Sequence, residues 1–324
     1  MTTVYRGLAA IALIAATLTA LAGQAAWPQT TPTVKIVVPY PPGSGPDILS
    51  RLMADEIGRA KGPTMLVENR PGGGTVIGTE AAARAAPDGG TILLVANSFI
   101  INPVLRKVNY DPATSFEPIC YLAATPLVLV VNASSPYRTL ADLIGAARAK
   151  PGQVVLSSGG PASSLHIAIE VLKRAAGINV TYVPYAGTAP SINALLGGHV
   201  TAVFADYPTV VAQLQSGTLR GLVTTSRARI EALPDVPTFA DTGVTNYEAD
   251  IFYGYVAPAK TPPAMISQLS GWLSDALKTP ETKPKLAKQG LFPVGTCGAE
   301  FGAYMRNLGD EYTRIIRESN IKAE

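Results

Sequence analysis

The chain has 324 residues, of which 47% are hydrophobic and only 15% charged, and its formal net charge is +3. The length suggests about two domains, and the apolar share excludes a disordered chain. Acids and bases are interspersed with no dense Lys/Arg stripe, so nucleic acid has no electrostatic footprint here.

The first predicted element is not part of the fold. "MTTVYR" supplies one positive charge, "LAAIALIAATLTALA" is an apolar run over 8–22, and "GQAAW" offers small residues for cleavage near Ala25 or Ala26. This is the anatomy of a secretory signal peptide, and the run is shorter than the ~20 residues a spanning helix needs. An uncleaved anchor is the rival reading. Residues 1–26 are expected to be removed, and the rest to be soluble and, in a bacterium, periplasmic.

From there short strands and helices alternate. "VKIVV" (34–38) precedes a helix at about 46–59, "TMLVE" precedes "GTVIGTEAAARAA", and "TILLVA" follows. Then come "LVLVV" (127–131), helix "TLADLIGAARAK", strand "QVVLSS", helix "SSLHIAIEVLKRAAG", strand "NVTYV", helix "SINALLGG", strand "VTAVFA", a helix at about 208–216 and strand "LRGLVTTS". Short apolar strands without polar alternation, separated by helices, predict an α/β protein with mainly parallel sheets covered on both faces. At the C-terminus Phe301, Tyr304, Met305, Leu308, Tyr312, Ile315 and Ile316 fall on one helical face.

One motif occurs twice: residues 38–48 read "VPYPPGSGPDI" and residues 183–192 read "VPYAGTAPSI". Each follows a strand and hands over to a helix. Pro46 and Pro190 suit the first helical turn, where a missing N–H costs nothing. Gly43 and Gly187 permit angles other residues avoid, and Ser44 and Thr188 place hydroxyls beside free helix-start N–H groups. Such a helix start is an anion site through directed N–H groups and the local dipole. For a single copy an ordinary strand–helix turn explains as much. Two copies with the same order of residue types favour one loop per lobe, facing each other across a cleft, with Tyr40 and Tyr185 at matched positions touching a ligand or the opposite lobe.

Other chemistry finds less support. The glycines of "PGGGTVIG" (71–78) resemble a dinucleotide fingerprint, but the next strand ends in Asn97 and Ser98 rather than an acid. They are read as a turn closing onto a helix. The only histidines are His166 and His199, with no metal-ligand spacing around either; His166 either lines the cleft or is a satisfied, partly buried side chain. There is no G-x-S-x-G elbow, so no catalytic residue, metal or cofactor is assigned. Asp47 is a favourable charge at a helix start. Asp206 either points into the cleft, where it would oppose an anion unless it receives a ligand's amine or hydroxyl, or caps the next helix. Phe252 and Tyr253 belong to a return crossing. Cys120 and Cys297 are either bridged, as export permits, or two buried free thiols.

The segments "VPYPPGSGPDILSRLMA", "VENRPGGGTVIGTEAAARAAPDGGTILL", "SSGGPASSLHIAIEVL", "VPYAGTAPSINALLGGHV", "LPDVPTFADTG" and "FYGYVAPAKTP" together resemble the Bug family, the extracytoplasmic substrate-binding receptors of tripartite tricarboxylate transporters. The resemblance implies a two-lobed type II periplasmic-binding-protein fold that closes on a small carboxylate. Lobe one is expected at 27–125 plus 226–324, and lobe two at 126–225. It also implies contacts from Pro42, Gly43, Ser44 and Asp47, from Ser98 and Phe99, and from Ser163, Ser164, His166, Gly187, Thr188, Ala205 and Asp206. The partners implied are a carboxylate ligand and membrane permease subunits, with the receptor acting as a monomer. The sequence departs from the family at Gly43-Ser44-Gly45, at Ala205 where many members carry Asp, and at the bulkier "NSF" of residues 97–99. The rival readings are an exported α/β hydrolase and a ligand-sensing module for a signalling partner.

Overall fold

The computed structural model describes residues 33–60, 62–160, 163–185, 187–226, 228–243 and 250–322. The expected signal peptide, 1–26, lies outside the described residues.

The chain runs β1 (Thr33–Val38), α1 (Gly45–Arg59), β2 (Thr64–Asn69), α2 (Val76–Ala83), β3 (Thr91–Val95), α3 (Asn97–Leu105) and β4 (Phe116–Thr125). It continues with β5 (Leu127–Asn132), α4 (Leu140–Ala149), β6 (Val155–Ser158), α5 (Ser164–Ala176), β7 (Thr181–Pro184), α6 (Thr188–Leu196), β8 (Ala202–Asp206), α7 (Tyr207–Gln215) and β9 (Leu219–Thr224). It closes with β10 (Ile251–Pro258), α8 (Pro263–Lys278), α9 (Thr282–Lys288), β11 (Phe292–Cys297) and α10 (Ala299–Glu318).

These strands form a six-stranded sheet, β11-β4-β10-β3-β1-β2, and a five-stranded sheet, β7-β6-β8-β5-β9. In the first, β1 lies parallel to β2 and β3; in the second, β6 lies parallel to β7 and β8. The remaining pairs are antiparallel. Each sheet is therefore mixed rather than mainly parallel. The reason is the double crossing. The chain leaves the first sheet through β4 and enters the second through β5 with only Pro126 between them, and it returns from β9 towards β10. A returning strand beside an outgoing one must run against it, so β4 faces β10 and β5 faces β9 in opposite directions.

Helices cover both faces of each sheet, which is why the strands are apolar on both sides. On one face of the first sheet Val34, Ile36 and Val38 pack with Leu49, Met53 and Ile57 of α1 and Leu269, Leu273 and Leu277 of α8. On the other, Val37, Leu93 and Val95 join a core that includes Phe301, Met305, Leu308 and Tyr312 of α10. Leu49, Met53 and Ile57 are spaced by four residues, so one stripe of α1 is buried, each side chain worth roughly 1.5–3 kcal/mol. The second sheet is covered by α6 and α7 through Ile192, Leu195 and Val210, and by α5 through Leu165, Ile169 and Leu172. The apolar face predicted for the C-terminal helix is buried, with Tyr304 partly covered. That helix also reaches α5, where Arg174 pairs with Glu318. Cys120 and Cys297 are opposite one another on β4 and β11 and are joined by a disulfide, fastening the edge strand β11 to the sheet.

Candidate functional site

Both copies of the repeated motif emerge from parallel strands and enter helices at the strands' carboxyl ends. In the first, Gly43 takes a left-handed conformation (φ +79°), and its N–H donates to the Asp47 carboxylate at 2.8 Å. Asp47 is buried and also accepts from Asn69 Nδ2 at 2.9 Å and Arg51 Nε at 3.1 Å, with the Arg51 guanidinium 3.0 Å from its other oxygen. Burial works to raise the Asp47 carboxyl, but hydrogen bonds from Arg51, Gly43 and Asn69 and the Arg51 charge outweigh it, holding the group below the ordinary aspartate range. Ser44 turns its hydroxyl back to the Pro41 carbonyl at 2.7 Å, and Pro42 is exposed. The Asp47 carboxylate is thus matched inside the protein by Gly43, Asn69 and Arg51, bracing the loop.

In the second copy Gly187 (φ +134°) precedes α6 and donates to the Tyr185 carbonyl at 2.8 Å. Tyr185 itself is half-buried at the edge of the second lobe's core. Thr188 Oγ1 donates to Asp206 at 3.2 Å, and Thr209 donates to the same carboxylate. Gly159 makes this geometry possible: a Cβ there would lie 2.5 Å from Thr188 N and 2.8 Å from the Gly187 carbonyl carbon. Ala186, inside this loop, lies outside the described residues. Among the described residues, the N–H groups of Gly45 and Asp47 in the first loop and of Thr188 and Ala189 in the second have no hydrogen-bond partner. These are directed donors at two helix starts.

Tyr253 of β10 approaches the first loop. A Cβ on Gly45 would lie 3.9 Å from its hydroxyl. Burial, then the charges of Tyr40 in one lobe and Asp206 in the other, push its phenol far up, against the Thr125 hydroxyl. Tyr253 therefore lies beside the first loop. Behind the first loop Tyr40 Oη lies 2.9 Å from Ser98 Oγ, and burial pushes the Tyr40 phenol up to about 12, with the Ser98 bond opposing.

The lobe-two residues cluster at the start of α5. Ser163 caps the helix, accepting the His166 N–H at 3.2 Å and donating to the Gly160 carbonyl at 2.8 Å; Ser164 is half-buried beside it. The His166 ring stacks on Tyr182 with centroids 3.9 Å apart, and the Tyr182 hydroxyl bonds Ser158 Oγ at 2.9 Å and the Gly160 carbonyl at 3.0 Å. Burial lowers the His166 pKa, Glu170 opposes and Lys173 adds to it, so the ring is neutral near pH 7.

Two residues of the expected contact set have side chains packed in the core. Phe99 is 1% exposed, stacked on Tyr110 and edge-on to Phe116, so it belongs to the core. Ala205 is fully buried on the α6/α7 face of its sheet. Neighbouring strand residues face opposite sides, which turns Asp206 the other way. Asn69 and Thr75, which the sequence reading did not single out, bond the expected residues Asp47 and Ser98. Gly72, Gly73, Gly74 and Thr75 all have positive φ, and the last brings Thr75 Oγ1 within 3.1 Å of Ser98 Oγ. No residue-type signal marks a threonine for that conformation.

A cavity of about 520 Å³ lies by the crossings, lined among others by Tyr121, Thr225, Arg229, Phe292 and Tyr304. Another of about 400 Å³ lies between α3 and α10. Neither is lined by a residue of the paired loops. Among the described residues no cluster of His, Cys, Asp and Glu could hold a metal, and no helix is long and apolar enough to cross a membrane.

Comparisons with known proteins agree with this architecture. The family model described as "Tripartite tricarboxylate transporter family receptor" matches residues 49–321. Protein BugT of Bordetella pertussis is 30% identical over 89% of this chain and 90% of its own length. A solved periplasmic transporter superposes with a TM-score of 0.76 at 33% identity, covering 92% of this chain and 99% of that one. An R. palustris protein solved with adipate has a TM-score of 0.76 at 28% identity, covering 91% and 99%. Two mixed, helix-covered sheets with these relatives establish a two-lobed periplasmic-binding-protein fold. This chain belongs to the tripartite tricarboxylate transporter receptor family, of which Bug proteins are members.

Proposed function

We propose that the protein captures a small carboxylate in the periplasm between its two helix-start loops, by closure of the lobe 27–125 plus 226–324 against the lobe 126–225. As a monomer it then hands the ligand to the membrane permease subunits of a tripartite transporter. The observation that carries this reading is the pair of loops, each following a parallel strand, whose helix-start N–H groups have no partner among the described residues. A carboxylate held by such donors gains roughly 1.5–3 kcal/mol per charge-assisted bond. Three or four of them, after association losses, support micromolar or tighter binding, about −8 kcal/mol or below. Adipate in the R. palustris relative supports the ligand class.

Calorimetry against di- and tricarboxylates, acidic amino acids and aromatic carboxylates tests the reading, with the bound compound recovered and weighed by mass spectrometry. Binding of a carboxylate recovered intact is the expected result. A panel without a single binder, or a ligand returned hydrolysed, removes the receptor reading, the latter in favour of an exported hydrolase.

A further inference from the structure

Three hydroxyls behind the first loop form a chain whose direction is fixed at one end. Asn102, buried in α3, faces the Gly74 carbonyl at 2.7 Å. A carbonyl only accepts, so the atom turned towards it is the amide nitrogen. The same nitrogen lies 3.3 Å from Thr75 Oγ1, which makes Thr75 the acceptor there. The Thr75 proton is then free to be donated to Ser98 Oγ, 3.1 Å away, and Ser98 Oγ is 2.9 Å from Tyr40 Oη.

Counting protons gives the consequence. Three hydroxyls carry three protons, and the two bonds among them use two. Asn102 cannot take the third, because its nitrogen only donates. One proton, on Tyr40 or Ser98 according to which ends the chain, is left over, and both residues are half-buried beside the first loop. With the Tyr40 phenol pushed up to about 12, that proton is present throughout the physiological range.

The backbone is distorted to build this chain. Thr75 has φ +84°, a region that a β-branched residue rarely enters. Its N–H donates to the Gly72 carbonyl at 3.1 Å and its carbonyl accepts from Thr79 Oγ1 at 2.9 Å, so both neighbours hold it there. Glycine would adopt that angle freely but would bring no hydroxyl. Strain kept at such a position points to use of the side chain.

We propose that Asn102 and Thr75 are positioning residues: they orient a hydroxyl relay whose last proton is offered to an oxygen of the ligand, so that the first-lobe end of the site selects a carboxylate and rejects a hydrogen-bond donor. The inference rests on the carboxylate-receptor reading above.

The test uses succinate, glutarate and adipate as probes by calorimetry, with circular dichroism to check folding. Thr75→Gly relieves the backbone but removes the hydroxyl; Thr75→Ser keeps the hydroxyl. For the tightest probe, Thr75→Gly is expected to raise Kd about tenfold and Thr75→Ser to stay within twofold. Ser98→Ala is expected to match the loss of Thr75→Gly, and the double variant to lose no more than either alone, because both break one chain. A Thr75→Gly protein binding like the wild type, a Thr75→Ser protein as weak as Thr75→Gly, or losses that multiply in the double variant would overturn the relay while leaving the receptor reading standing. If the wild type binds none of the three, the tightest carboxylate of the wider panel serves as probe for the same variants, and only a panel without a binder removes both readings.

Discussion

The two loops share a residue pattern but handle negative charge in opposite ways. In the first, Asp47 sits inside the loop and is matched before any ligand arrives: Arg51, Asn69 and the Gly43 N–H all turn to it. In the second, the matched position is Ser191, whose hydroxyl is buried against that of Ser157. The acid there is Asp206, contributed by a different strand. It accepts from Thr188 and Thr209 and has no cation beside it among the described residues. The lesson is that one motif can build two electrostatically different ends. The first is a rigid cradle of donors; the second sets an acceptor beside its donors.

The largest expected effect breaks the first end. Asp47→Ala leaves the Gly43 N–H, Asn69 and Arg51 without their acceptor, and bonds to a charged group are worth roughly 1.5–3 kcal/mol, so about 3 kcal/mol of stability is expected to disappear in urea titrations at neutral pH. The pH dependence sharpens this. Because the folded-state pKa of Asp47 lies below the ordinary value of 3.8, its contribution is full above that value and is lost as pH falls through the lower folded one. Wild type and variant are therefore expected to converge in strong acid and to differ most near neutrality. A constant difference from acid to neutral pH would mean that the carboxylate is not the brace.

The second end is best broken at Gly159. A methyl group there meets Thr188 N at 2.5 Å, so the start of α6 must move. Overpacking of this kind costs about 1–3 kcal/mol, and calorimetry is expected to show it mainly as lost ligand affinity. Equal affinity in Gly159→Ala would remove the second loop from the site.

These contrasts also show how far residue patterns reach. The repeat itself, the buried stripe of α1 and the apolar face of α10 were legible because each depends on local spacing. The strands β4, β10 and β11 were not, since "FEPICYLAAT" and "IFYGYVAP" acquire their meaning only by pairing across more than a hundred residues of chain. That non-local pairing is what makes the sheets mixed. The Cys120–Cys297 bridge stayed open for the same reason: only the β4–β11 register brings the two together. The side chains of Phe99 and Ala205 are buried, because neighbours along a strand or helix start face opposite ways, and a sequence pattern does not say which of two neighbours faces the core. Thr75 was invisible, since its angle belongs by type to glycine. The repeat suggested one loop per lobe, and the family resemblance added the kind of ligand such a pair would hold.

The smallest expected effect concerns what the second end selects. Asp206 is a charge without a cation among the described residues, close enough for its field to reach the Tyr253 phenol. For a ligand that is only a dicarboxylate this charge is a repulsion, whereas a hydroxyl or ammonium on the ligand would turn it into a hydrogen-bond acceptor. Asp206→Asn keeps the shape and the oxygen that Thr188 bonds while removing the charge. Succinate is therefore expected to bind a few-fold more tightly to Asp206→Asn, a gain of about 1 kcal/mol or less, while malate and aspartate gain nothing or lose. Because the comparison is between ligands on one variant, a general change in folding cancels. If all three ligands shift together, Asp206 acts only by holding Thr188, and the two ends of the site are electrostatically alike after all.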